Sequence, residues 1–314
     1  MKATALLRLT LASLAAGSVC VSVLAQDAPA PPAAPPASTA AVPPVDIPAF
    51  LKLAPGESPQ LVGPFRWPET RRAVQIPTGG GPILHGTYGR TPVRRKAPAV
   101  VLLHDDGLDR GMFEGLSRQL LDAGYHVLAL DLRGHGESTK FPDGKEIHVE
   151  QFRLQHGTPE YRNMVDDMGH VLLWLKEKGG TNGDVYVVGS RMGASIAGAM
   201  LARHGKQVKR AVLVSPLMTF QGICLRDELA TIQGRPYMVM LAESDTAGVQ
   251  ALEAFRKTTG DVIPAPVPHE GVGQQLLVHQ DVRDRIVQFF HAGEKDWPPP
   301  SGVPWRGLPR RVHM

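Results

Sequence analysis

The segment from residue 185 to residue 195 constrains the fold of this 314-residue chain more than any other. Residues 185–188 are Val, Tyr, Val and Val, a run typical of a strand buried on both faces. Gly189 and Gly193 then flank a turn centred on Arg191, and a helical run of small and apolar residues follows. Because side chains at both glycine positions would collide with so sharp a turn, the glycines are required whatever residue stands at the apex. We therefore predict a strand, a strained turn and a helix in direct succession.

Strand and helix patterns alternate on both sides of this segment, over residues 63–292. Short apolar or alternating runs predict strands at 72–76, 83–88, 99–103, 125–130, 185–188, 211–214, 237–241 and 262–267. Apolar residues at helical spacing predict helices at 113–123, 166–178 and 281–290, and another after the turn. Such alternation is typical of one α/β domain with a mostly parallel sheet and helices on both faces.

The two ends of the chain differ from this region. Residues 1–25 combine Lys2 and Arg8 with an apolar run and a small-residue cleavage site at Ala25, the pattern of a signal peptide. The apolar run is short for a membrane span and no stop-transfer pattern follows, so we expect no transmembrane segment after cleavage. Val19 before Cys20 disfavours a lipid anchor. The mature chain is therefore expected to be exported, either periplasmic or secreted.

Both segments that flank the predicted domain are rich in proline. Residues 26–62 form a Pro- and Ala-rich linker and lead-in, whose composition favours an extended polyproline II spacer. Residues 293–314 form a Pro- and Arg-rich tail. Neither segment is expected to contribute to the domain core.

Composition excludes several classes of function. The net charge of +4 is not organised into a stripe of basic and aromatic residues, so no nucleic-acid partner is expected. Cleavage would leave Cys224 as the only cysteine, which excludes an intramolecular disulfide. The histidines show no paired ligand spacing, so neither a metal nor a cofactor is predicted. No pattern sets the oligomeric state.

Three motifs together carry a resemblance to a known superfamily. The runs at 100–104 and 124–138, followed by the turn at 189–193, resemble the first half of the α/β-hydrolases. The resemblance is greatest to the lidless, dienelactone-hydrolase-like and lysophospholipase-like branch. It implies a single α/β-hydrolase domain. Only about twenty residues separate Ser215-Pro216 from Arg235-Pro236, too few for a large cap.

The resemblance also implies where a catalytic triad would stand. In such enzymes a serine at the apex attacks a carbonyl, a histidine moves the proton and an acid orients the histidine. Asp245, after a strand, matches the acid position. The nucleophile position holds Arg191 and the histidine position, before the last helix, holds Val272. The two residues that perform the chemistry are therefore replaced.

The loop after the strand at 99–103 also departs from the family pattern. It reads His104-Asp105-Asp106-Gly107 where His-Gly is common, so Asp105 places a carboxylate near the site of developing negative charge. Two interpretations of Arg191 remain open. It forms an ion pair with Asp245, or it binds an anion together with the helix N-terminus that begins near Met192. The predicted binding residues are accordingly His104, Asp105, Arg191 and Met192.

Two functions follow from these substitutions. The favoured one is a catalytically impaired pseudo-hydrolase that acts as a binding or scaffold module, with a small anionic or ester ligand in the cleft. The alternative is an active hydrolase of carboxylic esters or lactones that uses displaced residues, Ser190 with His269 and Asp245. A purely structural envelope protein held by its Pro-rich ends is a third hypothesis.

Overall fold

The structure is a computed structural model that describes residues 71–93, 95–154, 159–246, 248–249, 252, 256 and 262–292. The predicted signal peptide (1–25), linker (26–62) and tail (293–314) lie outside the described residues. The part of the predicted domain that is described begins at Arg71. No helix within these ranges combines the length and the apolar character that a bilayer crossing requires.

An eight-stranded sheet forms the centre of the described region, and a two-stranded hairpin accompanies it. The strands are β1 (Arg71–Ile76), β2 (Leu84–Gly89), β3 (Ala99–Leu103), β4 (His126–Leu130), β5 (Val185–Ser190), β6 (Val208–Val214), β7 (Thr219–Phe220), β8 (Ile223–Cys224), β9 (Tyr237–Ala242) and β10 (Val262–Val267). The sheet order is β1-β2-β4-β3-β5-β6-β9-β10, and β7 pairs with β8. Within the eight-stranded sheet only the β1–β2 and β2–β4 pairs are antiparallel, so the mostly parallel sheet predicted from the sequence is confirmed.

Helices cover both faces of this sheet. They are α1 (Glu114–Asp122), α2 (Val149–Leu154), α3 (Glu160–Trp174), α4 (Met192–Arg203), α5 (Leu225–Ala230), α6 (Gln274–Leu277) and α7 (Gln280–His291). One apolar cluster joins the sheet to α3, α4 and α5, and a second joins the opposite face to α1, α6 and α7. Because side chains alternate along a strand, Val101 and Leu103 enter the first cluster, whereas Val100 and Leu102 enter the second.

Several elements extend beyond the sequence prediction. Helix α3 begins at Glu160 rather than at 166, since Tyr161, Met164 and Val165 continue its buried stripe. The segment between β6 and β9 holds only the β7–β8 hairpin and α5, so the predicted absence of a large cap is confirmed. All of β3, β4 and β5 is buried, and the loops at their carboxyl ends meet at one edge of the sheet.

Candidate functional site

The turn between β5 and α4 has the strained geometry that its glycines predict. Arg191 is the single residue between the strand and the helix, and its φ of 47° and ψ of −105° lie in a region that side chains rarely adopt. A Cβ at Gly189 would overlap the carbonyl of Gly193, and a Cβ at Gly193 would overlap the carbonyl of Leu103. The predicted requirement for both glycines is therefore confirmed.

The Arg191 side chain forms an ion pair with the loop that follows β3. Its Nε lies 2.9 Å from Oδ2 of Asp105, and the two side chains are 34% and 17% exposed. The predicted pair with Asp245 was wrong, because the contacts of the described residues pair Arg191 with Asp105. The loop after β3 lies next to the turn in the parallel sheet and brings its carboxylate closer.

The second oxygen of Asp105 accepts two backbone hydrogen bonds. Its Oδ1 lies 2.8 Å from the amide N of Asp106 and 3.1 Å from the amide N of Met192. Met192 directly follows the apex and Asp106 belongs to the loop after β3, the two positions whose N–H groups form an oxyanion hole in enzymes with this turn. An internal carboxylate therefore occupies the place where these donors would bind a reacting oxygen.

The segment predicted to carry the histidine position lies against the turn. Gly273 N donates to Ser215 Oγ at 2.9 Å, and Val272 N donates to Gln275 Oε1 at 3.0 Å. The φ of Gly273 is 55°, and a Cβ there would lie 2.6 Å from Ser190 Oγ and 3.0 Å from Arg191 Cγ. The side chain of Val272 is 41% exposed. The backbone at this position is thus held beside the apex, but its side chain offers no proton acceptor.

The structure does not assemble the displaced triad of Ser190, His269 and Asp245. Ser190 is fully buried, and its Oγ has no hydrogen-bond partner among the described residues. His269 Nε2 lies 2.8 and 2.9 Å from the carboxylate oxygens of Asp281, and its ring stacks on His279 at 3.7 Å. Asp245 accepts a hydrogen bond from Gly248 N at 2.9 Å instead. The described contacts therefore do not bring Ser190, His269 and Asp245 together, and their use as a displaced triad stays an alternative that labelling must test.

His104 is a structural residue, which corrects its predicted binding role. It is fully buried, its Nδ1 lies 2.7 Å from the Asp105 carbonyl, and its Nε2 accepts the amide N–H of Leu132 at 2.9 Å. Burial first, and the nearby His135 second, lower the pKa of His104 to about 3, so the ring is neutral at neutral pH. The side chain of Met192 is also buried, and only its N–H reaches the site.

Asp106 anchors the loop that carries Asp105, a role that the sequence analysis missed. Its Oδ2 accepts from Arg153 Nε and Nη2 at 3.0 and 2.8 Å, and Tyr161 Oη donates to its Oδ1 at 3.3 Å. His135 Nε2 lies 3.4 Å from the same Oδ1. Burial acts to raise the pKa of Asp106, but the bonds from His135 and Arg153 outweigh it and hold that pKa below its ordinary value. The sequence signal that could have indicated this anchoring role is the second acidic residue in Asp105-Asp106.

The described residues offer little else for catalysis. They contain no group of three His, Cys, Asp or Glu side chains arranged to hold a metal ion. Ser195, on α4, donates its Oγ hydrogen to the carbonyl of Leu217 at 2.7 Å and so ties the helix to the segment after β6. Arg133 forms a two-pronged pair with Asp167, with N–O distances of 2.9 and 2.7 Å, and holds the β4 turn to α3. Arg133 in the glycine-rich run after β4 therefore serves the fold.

Comparison of the sequence with known proteins identifies a family and several relatives. The family described as serine aminopeptidase, S33, matches residues 94–250, which is half of the chain. The lysophosphatidylserine lipase ABHD12 of Rattus norvegicus is 32% identical over 108 residues, which are 34% of this chain. The match spans only 23% of that lipase, about a quarter of its length.

Solved structures show the same fold. An esterase from Pyrococcus furiosus matches with a TM-score of 0.54 and 20% identity, covering 71% of this chain and 90% of the esterase. A dienelactone hydrolase from Anabaena variabilis matches with a TM-score of 0.55 and 15% identity, covering 71% and 95%. At these identities the likeness concerns the fold alone.

Proposed function

The chain belongs to the α/β-hydrolase superfamily, in the family described as serine aminopeptidase, S33, and from that premise we propose that it is a member without serine-hydrolase chemistry that acts as a binding or scaffold module. The observation that carries this proposal is the position of Asp105. Its Oδ1 takes the N–H groups of Asp106 and Met192 that would otherwise stabilise an oxyanion. A carboxylate in that place repels the negative charge that develops during acyl transfer.

The substituted triad positions support the same proposal. A guanidinium such as that of Arg191 stays protonated and has no lone pair for attack on a carbonyl. Val272 can neither accept nor donate a proton. Without nucleophile and base, only the residual catalysis of binding and oxyanion stabilisation would be left, and Asp105 removes the second of these.

A ligand role for Arg191 is compatible with its surroundings. A guanidinium has five N–H donors, and the ion pair with Asp105 is made through Nε. With a third of the side chain exposed, the outer nitrogens can meet a carboxylate or phosphate from the cleft. We propose a small anionic ligand there, held by the guanidinium and not by the helix amides, since Asp105 already occupies the amide of Met192.

Export of the chain is part of the proposal and rests on residues 1–25. Expression of the full chain in a bacterium with a general secretion pathway tests it. The intact mass of the recovered protein should correspond to a chain that begins at Gln26, as expected for cleavage after Ala25. Recovery of the uncleaved chain from the cytoplasm would contradict export.

Covalent labelling tests the loss of chemistry directly. The purified chain is incubated with a fluorophosphonate probe beside an active esterase, and modified sites are mapped by mass spectrometry. We expect labelling of the esterase and none of this chain. Labelling of Ser190, or of another single serine at the cleft, would overturn the proposal and restore the active ester or lactone hydrolase.

A rebuilt site sharpens the test. The triple variant Asp105→Gly, Arg191→Ser, Val272→His removes the internal carboxylate and returns both chemical groups to a retained backbone. We expect this variant to be labelled at position 191. The matched control carries Arg191→Ala with the same two other changes and should stay unlabelled. Equal labelling of both variants would show that the probe reacts elsewhere.

A further inference from the structure

A cavity of about 100 Å³ is lined by residues of β9, α5 and the segments that follow β6 and β9. Its described lining is almost wholly apolar. The apolar side chains that form most of the wall are Met218, Leu229, Val239, Leu241 and Leu252. A single carboxylate, that of Asp245, interrupts this wall. The cavity is thus an apolar space with one fixed negative group.

The carboxylate of Asp245 retains unused capacity to accept hydrogen bonds. A carboxylate can accept at about four lone-pair sites. The described contact uses one of them, from Gly248 N to Oδ1 at 2.9 Å. Among the described residues, no lysine, arginine or histidine lies within ion-pair distance of Asp245, and Arg191 pairs with Asp105. The histidine that an acid in this position would orient is replaced by Val272.

We propose that this cavity binds a small organic ammonium ion, with its apolar part against the leucines and its N–H groups on Asp245. The size follows from the volume, since an apolar cavity of about 150 Å³ binds benzene and one of about 100 Å³ therefore suits a body of about four or five heavy atoms. The charge follows from Asp245. An apolar ligand alone would bury the carboxylate without a partner, whereas a cation pairs with it.

The proposal rests on the proposed function in one respect, because it takes Asp245 to be free of a catalytic histidine. The cavity proposal goes beyond the proposed function because it assigns a second site, whose ligand has the opposite charge to the one expected at Arg191. The two sites use different side chains, Asp245 here and Arg191 at the turn, so each can be tested without the other.

Isobutylammonium and isobutanol are the probes that test this site. They share an apolar body, and only the first is charged at neutral pH. Binding to the full chain is measured by ligand-observed NMR titration. We expect isobutylammonium to bind about tenfold or more tightly than isobutanol, because a charge-assisted hydrogen bond is worth roughly that factor.

Two variants locate the interaction. Asp245→Asn preserves an acceptor for Gly248 N and removes the charge, so it should abolish the preference for the ammonium ion. Glu243→Gln removes an exposed charge two residues away and should leave the preference unchanged. Equal binding of both probes, persistence of the preference in Asp245→Asn, or its loss in Glu243→Gln would each overturn the proposal.

Failure here is distinguishable from failure of the proposed function. If the ammonium ion does not bind and the fluorophosphonate does not label the chain, the cavity proposal falls and the loss of chemistry stands. If the probe labels a serine, the loss of chemistry falls whatever the amine titration shows.

Discussion

The turn at Arg191 and the segment around Val272 approach each other closely, yet they accommodate a substituted residue in different ways. At the turn, the new side chain has acquired a partner, because Asp105 pairs with the guanidinium at 2.9 Å. At the other position the new side chain is 41% exposed, and the hydrogen bonds around it, from Val272 N and Gly273 N, are made by the backbone.

The difference shows that backbone geometry and side-chain chemistry can be retained independently. A Cβ at Gly189, Gly193 or Gly273 would lie too close to neighbouring atoms, so glycine is needed at these positions whether or not a reaction occurs. The apex side chain carries a charge and needs compensation, whereas valine in a half-open loop needs none. The presence of the turn therefore indicates architecture, and the groups around it indicate chemistry.

The largest expected effect tests the steric part of this comparison. Gly193→Ala should abolish folding or cost several kcal/mol, because the new Cβ would overlap the backbone carbonyl of Leu103, which cannot move without disrupting β3. Gly169→Ala is the control, since its nearest neighbour would be 3.9 Å away and alanine favours helix α3. Thermal unfolding followed by circular dichroism compares the two. A Gly193→Ala variant as stable as the parent would contradict the steric argument.

The next effect concerns the buried histidine beneath the loop that carries Asp105. The pKa of His104 is about 3 in the folded protein and about 6.5 when unfolded, so the unfolded chain binds more protons between these values. This contribution is complete above pH 6.5 and is lost as the pH falls towards 3. We expect the free energy of unfolding to be about 2 kcal/mol lower at pH 5 than at pH 7 from this group alone.

Denaturant unfolding at pH 7, 6 and 5 measures this slope. The His104→Asn variant should be less stable overall but should show a shallower loss over this range. The exposed His148 offers a matched control, and His148→Asn should retain the parent slope. An unchanged slope in His104→Asn would show that other groups cause the acid sensitivity.

A smaller effect separates backbone strain from charge at the apex. Arg191→Ala and Arg191→Gly both remove the ion pair, but only glycine adopts a φ of 47° and ψ of −105° without strain. We expect Arg191→Gly to be more stable than Arg191→Ala by about 1 kcal/mol. At Arg118, in helix α1, the order should reverse by about the same amount, because glycine weakens a helix. The midpoints of urea unfolding give the order of stability of the alanine and glycine variants at each position. The same order at both positions would contradict backbone strain at Arg191.

The smallest effect is expected at the open position. Val272→His should change the unfolding free energy by less than about 0.5 kcal/mol, because surface substitutions away from special features rarely do more. It should also leave the chain unlabelled by the fluorophosphonate, since the apex is still arginine. Labelling of this single variant would mean that a nucleophile other than the apex residue is in place.

Much of the backbone could be predicted from the sequence for a physical reason. Apolar runs such as 99–103 and 262–267 match their strands residue for residue. For 99–103 the reason is burial on both faces, which leaves a continuous apolar signal. The turn at Arg191 was predicted from its glycines, whose spacing reflects short-range contact. These features depend on local sequence or on a single fixed neighbour.

The partners of the site residues could not be predicted in the same way. Arg191 pairs with Asp105 and not with Asp245, a choice set by how far two loops extend from adjacent strands. His269 pairs with Asp281, twelve residues further on at the start of α7. Both outcomes depend on side-chain directions at the edge of the sheet, which neither spacing nor propensity encodes.

Under the proposed function, the pair formed by Asp105 and Arg191 would also make the loss of chemistry difficult to reverse. Reversion of the apex alone to serine would leave a carboxylate among the amides that a substrate needs. Removal of Asp105 alone would leave the guanidinium without its counter-ion and would supply neither a nucleophile nor a base. With Val272 a third change would be required, so no single reversion would restore all the groups that the chemistry needs. The ion pair would therefore oppose a stepwise return to activity.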